Sequence, residues 1–470
     1  MDQNEAMIIN RILTEHGTSR AGTRYAYGQV MPQPYSYDTS RNCVYVLDMA
    51  SGIRPDQILR LQDVLDDRLT RYRGEATFTL FLYNPFSIVV PRSDPETVVI
   101  KYMIEKLKRQ ESGVQITLGE YYGHSGSPEK RKKSWLRLDL TKPATPHLLS
   151  AGATGSGKST GMKGMVASLA ITADPRRVGV ILIDPKGLDF PQFGNLPHLI
   201  RLDPSRKNQV ILDMETALLA FQRVIALMDY RRDRAGDDPM RIAQMAKEFQ
   251  QVVIFVDEVG TLFDNANSPI AQAAAKITQR GRGVGVHLVF GTQKPSKALI
   301  GPENMANLPV RSCGLVATQN EGYYATGVAG SELGAHRLAG NGDMLLVQNG
   351  NKVWSYQAPF IDVDNQEDVR IAASVRQWWD GAVSDLVLPP AEGGTIVVKP
   401  TATAMRDNRH NEMVDALQRM EQDGGVHSVH QVVKLHKDKF GTKLNYNTAQ
   451  LLLRRARQGW EAPRDGEKYQ

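Results

Sequence analysis

"HLLSAGATGSGKST", residues 147–160, is the stretch on which the fold turns. His147–Ala151 reads as a buried strand, and Gly152–Ser159 satisfies G-x-x-x-x-G-K-[ST], the pattern of a phosphate-binding loop. Gly152, Gly155 and Gly157 permit backbone angles that let successive N–H groups wrap phosphate oxygens. Lys158 brings a point charge to the β- and γ-phosphates, and the Ser159 hydroxyl is a ligand for Mg2+. After the loop, Met162, Met165, Val166, Leu169 and Ala170 recur at helical spacing, so a helix aims its positive end at the phosphates. The nucleotide-binding set is therefore Gly152, Ala153, Thr154, Gly155, Ser156, Gly157, Lys158, Ser159 and Thr160.

Three further apolar runs share this logic. "QVVIFVDEVGTLF" (251–263) ends its strand in Asp257 and Glu258, as a parallel strand buried on both faces places carboxylates at its carboxyl end. Asp257 is expected in the magnesium shell, and Glu258 as the general base that polarises the attacking water. "VGVILIDPKG" (178–187) ends in Asp184 and Lys186, and "GVHLVFGTQKPS" (285–296) ends in Gln293, an amide at the height of the γ-phosphate. Buried strands alternating with helical stretches predict a doubly wound α/β sheet with its ligand at the carboxyl ends. The Lys-Ser ending of the loop does not fit a dinucleotide G-x-G-x-x-G turn, and the adjacent Asp-Glu pair favours ATP hydrolysis over a passive switch.

The 470 residues suffice for two or three domains. No apolar run approaches the length of a membrane span, and "MDQNEAMIINRILTEHG" lacks the basic and apolar regions of a signal peptide. The expectation is a soluble cytoplasmic protein whose contact with a membrane or other anchor would run through another protein. Cys43 and Cys313 read as core thiols, since two cysteines make neither a disulfide framework nor a zinc site. A net charge of +6 is compatible with a polyanionic partner.

"PHLLSAGATGSGKS", "ILIDPKGLDF", "VVIFVDEVGTLF", "QRGRGVGVHLVFGTQKPS", "NLPVR" and "GNGDMLL" occur in an order that resembles the FtsK/SpoIIIE family of DNA translocases, over about residues 145–375. Fainter similarity in 45–92 resembles the small domain preceding that family's motor. The resemblance implies a RecA-like ATPase core in a homo-hexameric ring around double-stranded DNA, with ATP between subunits. It also implies that Arg282, rather than Arg280, is the cation lent to a neighbour's phosphate, and that Lys294 and Lys297 grip the DNA backbone. At the second pore loop the chain departs from the family, carrying Gln319 and Tyr323 where lysine and arginine are usual.

Residues 379–405, rich in Pro, Gly, Ala and Thr, read as a linker, and three helical stretches follow it. A glycine-marked break and a basic third helix suggest a winged-helix or helix-turn-helix module. Between Val426 and Trp460 stand seven Lys/Arg, among them Lys443, Arg454 and Arg455, against one acid, Asp438. Asn447, Thr448 and Gln450 are placed to reach base edges. "PEKRKKSW" (128–135) is a basic run that reads as a solvated loop or a DNA contact. The expected organisation is an α+β domain over 1–140, the motor over 141–378, the linker over 379–405 and a DNA-binding domain over 406–470. The functional reading is an ATP-driven duplex DNA translocase. The alternatives are a DNA-binding regulator or adaptor whose nucleotide site serves assembly, a viral genome-packaging ATPase, and a single-strand coupling protein.

Overall fold

The computed structural model describes residues 2–16, 26–33, 35–38, 42–83, 86–92, 97–105, 107, 113–122, 133–202, 208–236, 248–263, 267–296, 305–328, 334–350, 352–364, 366–379, 381–391, 417, 428–440 and 449. They fall in two units, residues 1–392 and 393–470.

The first unit opens with the helix Gln3–Glu15, whose N–H groups at Asn4 and Glu5 donate to the Asp2 carboxylate. Strands β1 (Gly28–Val30), β2 (Tyr37–Asp38), β3 (Asn42–Met49), β4 (Leu80–Tyr83) and β5 (Phe86–Pro91) then form an antiparallel sheet in the order β1-β3-β5-β4, with β2 also on β3. One face of this sheet, with Tyr45 and Ile88, packs on Ile9 and Leu13 of the first helix and on Leu65 and Leu69 of the helix Gln62–Arg73. On the other face Val44, Val46 and Val89 meet Ala151, Cys313 and Leu345 of a second, larger sheet. Polar contacts reinforce that junction: Asn42 Nδ2 donates to Asp343 Oδ1 at 3.2 Å, and Arg337 pairs with Asp66.

The larger sheet holds β6 (Gln115–Tyr122), β7 (Lys133–Asp139), β8 (His147–Ala151), β9 (Val178–Ile183), β10 (Gln251–Val256), β11 (Val286–Thr292), β12 (Val310–Cys313), β13 (Asp343–Gln348) and β14 (Lys352–Gln357). Its order is β7-β6-β14-β13-β12-β8-β11-β10-β9. The stretch from β12 to β9 is parallel, and β8, β9, β10 and β11 within it are the apolar runs read from sequence. Side-chain alternation splits each run between two cores. Leu148, Leu182, Phe255 and Val289 pack on the helices Lys158–Thr172 and Glu367–Trp378. Leu149, Ile183, Ile254 and Phe290 pack on the helices Met214–Ala235 and Pro269–Arg280. Helices thus cover both faces of the parallel part. Each buried aliphatic side chain contributes about 2 kcal/mol.

Three features differ from the sequence reading. The sheet is mixed: β13, β14, β6 and β7 extend it antiparallel beyond β12. Residues 115–139 belong to this sheet, so the boundary expected at 140/141 does not fall between the two sheets. The expected linker begins as a strap fixed to the core. Trp379 Nε1 donates to Ala170 O, Ser384 N to Pro197 O and Arg223 Nε to Pro389 O, while Leu388 is buried. Cys43 and Cys313 are core thiols as expected, each pushed up to about 12 by burial. Among the described residues no helix is long and apolar enough to cross a membrane. In the second unit the helix Val429–Phe440 begins at Ser428, which exchanges hydrogen bonds with Gln431, and buries Val432.

At the amino ends of the parallel strands His147 and His287 lie with ring centroids 6.5 Å apart, and His198 is buried nearer the strap. Burial pushes them down to about 3, 4 and 4, respectively, with the His287 charge adding to the effect at His147. Protons therefore bind the unfolded chain first, near pH 6.5, and stability is lost as pH falls from there toward 4. Chemical denaturation between pH 7.5 and 4.5 is expected to show this loss, at up to about 1.4 kcal/mol per pH unit per histidine. His147→Asn, whose amide oxygen can replace Nδ1 as acceptor for the Leu288 N–H, should make the decline shallower. An unchanged slope contradicts the assignment.

Candidate active site

The carboxyl ends of β8, β9, β10 and β11 meet around the loop and helix that follow β8. The loop after β8 starts with Gly152 N donating to Thr292 O and Ala153 N to Leu315 O, which pins it to its neighbours. From the other side a turn at Gly340, Asn341 and Gly342, all at positive φ, supports it: Asn341 N donates to Gly155 O and Gly342 N to Ser156 O, each at 2.8 Å. Gly157, at φ 93°, then starts the helix Lys158–Thr172. A cavity of about 280 Å3 opens over the loop, lined among others by Thr154, Lys158, Ser159, Thr160, Gln293 and Asn341.

Lys158 is buried, and its Nζ donates to Asp257 Oδ1 at 2.7 Å and to the Asp257 carbonyl at 2.9 Å. The next residue, Glu258, accepts the Gln293 N–H at 3.1 and 3.2 Å and the Gly260 N–H at 3.3 Å, with Lys186 Nζ 3.5 Å away. Its carboxylate is therefore aimed by the end of β11. The Gln293 contact with Glu258 is made by its backbone, while its side chain lines the cavity beside the loop.

Asp184 has a structural task. Its buried carboxylate accepts the N–H groups of Gly187, Asp189 and Phe190, folding the turn after β9. That turn brings Asp189, not singled out by the sequence, to 3.4 Å from Lys163 Nζ and into the neighbourhood of Ser159 and Asp257. Burial raises the Asp189 carboxyl, but the Ser159 hydroxyl and the Lys163 ammonium, 3.4 Å away, outweigh it and hold the group low. Asp257 is pushed up to about 6, first by burial and then by the Asp189 charge, against the pull of Lys158. Asp257 Oδ2 is buried and has no hydrogen-bond donor. The Ser159 hydroxyl and the Asp257 carboxylate, with its undonated oxygen, are hard donors of the kind magnesium takes. Among the described residues no cluster of three or more His, Cys, Asp or Glu forms a metal site.

Arg282 sits at the other edge of the sheet, in the turn Gly281–Val284 before β11, and is exposed. The seven residues of β11 separate that edge from the pocket by roughly 20 Å. Its neighbour Arg280 pairs with Asp229 at 3.4 Å. Lys294, just past Gln293, is exposed, as are Gln319 and Tyr323 on the helix Gln319–Thr326. Lys297, Lys443, Asn447, Thr448, Gln450, Arg454 and Arg455, and most of the 128–135 run, lie outside the described residues.

Residues 105–248 match the model of the FtsK/SpoIIIE family. It is 31% identical over 336 residues to the DNA translocase SftA of Bacillus subtilis, an alignment covering 69% of this chain and 33% of that protein. It is 26% identical over 385 residues to the DNA translocase FtsK of Staphylococcus aureus, covering 78% of this chain and 44% of that protein. The chain thus spans between a third and a half of the length of these relatives. A solved structure of the pCW3 conjugation coupling protein TcpA in monomer form with ATPγS covers 80% of this chain, all of its own length being matched, with 17% identity and a TM-score of 0.47.

Gly155 and Gly157 separate the loop's two constraints. A Cβ on Gly155 meets nothing within 4 Å, whereas one on Gly157 lies 2.4 Å from Gly342 N. Gly155→Ala is expected to cost only the left-handed conformation, about 1–2 kcal/mol in urea denaturation. Gly157→Ala should cost more and abolish nucleotide binding, because backbone must move. Equal effects of the two would contradict the geometry.

Proposed function

We propose that this chain is an ATP-driven double-stranded DNA translocase whose subunits, each with a RecA-like core, form a hexameric ring around the DNA. One observation carries the reading: Glu258 is held beside the phosphate loop by the backbone of Gln293, and the next residue, Lys294, is exposed. A binding module needs no buried general base, and a motor needs its hydrolysis site joined to its track. Here the two functions are adjacent residues at one strand end.

In this reading the loop N–H groups and Lys158 take the phosphates of ATP, and Lys158 exchanges Asp257 for them. Magnesium would be held by Ser159 and Asp257, and its charge would neutralise the phosphate oxygens. Glu258 accepts a proton from the attacking water, and the Gln293 side chain orients that water or the γ-phosphate. Arg282, roughly 20 Å from its own pocket, is placed to serve a neighbouring subunit's phosphate. The relatives' description as DNA translocases supports DNA as the track. Lys294 and Lys297 would grip its phosphates without reading sequence. The second unit, with its basic helical stretches, would be the winged-helix-like element that contacts DNA through Lys443, Asn447, Arg454 and Arg455. The exposed Gln319 and Tyr323 make the second loop's contact with DNA an uncharged one.

ATP hydrolysis measured without DNA, with single strands and with linear duplex tests this. Duplex should stimulate wild type most. Glu258→Gln and Arg282→Ala should each fall by about 100-fold or more while still binding nucleotide. Mixing Arg282→Ala with Lys158→Ala subunits should restore part of the activity, since one supplies the loop and the other the arginine. Hydrolysis indifferent to duplex, or absent throughout, would favour the adaptor reading.

A further inference from the structure

Asp189 and Lys163 form a buried ion pair behind the phosphate loop that the reaction as described does not use. Lys163 lies one helical turn after Ser159, so both face the same side of the helix Lys158–Thr172. It is 6% exposed, and its Nζ is 3.4 Å from Asp189 Oδ1. Asp189 is fixed from behind by its own N–H, which donates to Asp184 at 2.7 Å. From there its carboxylate, at Lys163 Nζ, lies on the helix face that also carries Ser159, and it neighbours Asp257, whose buried Oδ2 has no donor.

A serine hydroxyl has one proton and two lone pairs. If the proton is given to a fixed carboxylate, the lone pairs are turned to the remaining side, and for Ser159 that side includes the cavity over the loop. A buried ion pair is a poor source of stability, because desolvation offsets its attraction. Its value here lies in fixing Asp189 as a charged acceptor. Building on the nucleotide site proposed above, we propose that Asp189, held by Lys163, is a positioning residue that accepts the Ser159 proton and so presents the Ser159 oxygen to magnesium. Asp189 makes no contact with ATP in this scheme. Partners behind a metal ligand tune metal affinity by 10–100-fold, and that is the effect expected.

The test is binding of a fluorescent N-methylanthraniloyl-ATP to the full chain, titrated with magnesium and repeated in EDTA. Asp189→Asn should bind within about twofold of wild type in EDTA, while the magnesium concentration giving half the effect rises about 10-fold or more. Lys163→Met should shift it in the same direction, and Asp189→Glu should recover part of the loss. In a Ser159→Ala background, Asp189→Asn should add nothing, because the group it positions is gone. An equal loss in EDTA and magnesium, an unshifted magnesium requirement, or full additivity with Ser159→Ala would overturn the assignment. Should Asp189→Asn fail to fold, Lys163→Met alone and on Ser159→Ala decides the same question. Wild type that binds nucleotide equally with and without magnesium refutes this inference and leaves the loop intact as a nucleotide site. Wild type that binds no nucleotide refutes the site reading as well.

Discussion

The ion pair between Lys158 and Asp257 is the constraint on which the rest of the site depends. It joins the carboxyl ends of β8 and β10, two strands that do not pair with each other because β11 runs between them. The lysine reaches across because β11 carries Gly291 at the crossing, where a Cβ would lie 2.0 Å from the Asp257 carbonyl that accepts Nζ. Both charges are buried, so removing either one strands the other at a cost of roughly 3–5 kcal/mol. That penalty keeps the loop, the acidic strand end and β11 in register until a phosphate offers Lys158 an equivalent partner. In the proposed reaction, phosphate entry would free Asp257 for a cation, so that one exchange would assemble the two halves of the nucleotide site.

The strand β11 ties this site to the rest of the proposed motor. At its amino end stands Arg282, outside the reach of its own pocket. At its carboxyl end the Gln293 N–H holds Glu258, and Lys294 is exposed one residue later. A strand buried in every residue is stiff, so a shift at one end is carried to the other. The Gly340–Gly342 turn under the loop plays a comparable part toward the amino-terminal sheet, because Asp343 next to it accepts from Asn42.

The parallel strands, the loop and its helix were legible in the sequence because each is an apolar run or a fixed spacing. Residues 147–160, 178–187, 251–263 and 285–296 fold as their patterns predict. What escaped were contacts made by turns and by half-polar strands. Asp189 carries no periodic signal; it comes near Ser159 only because Asp184 folds the intervening turn. The β14 strand, "KVWSYQ", is too polar to read as a sheet interior, and it is partly exposed in place. The strap at 381–391 has the composition of a linker, yet Leu386 and Leu388, two residues apart, face the core. That alternation was the available signal. The Gly-Asn-Gly run at 340–342 marks a turn, but only the fold shows that the turn bears on the loop.

If hydrolysis at Glu258 moves the chain along duplex DNA, the motion can be read from a roadblock. The experiment is ATP-dependent displacement of a triplex-forming oligonucleotide from a linear duplex by the full chain. A translocase displaces the third strand at a rate that follows ATP concentration, and does not displace it with a non-hydrolysable analogue. Steady ATP hydrolysis on the same duplex, with the third strand left in place, would contradict translocation by this chain.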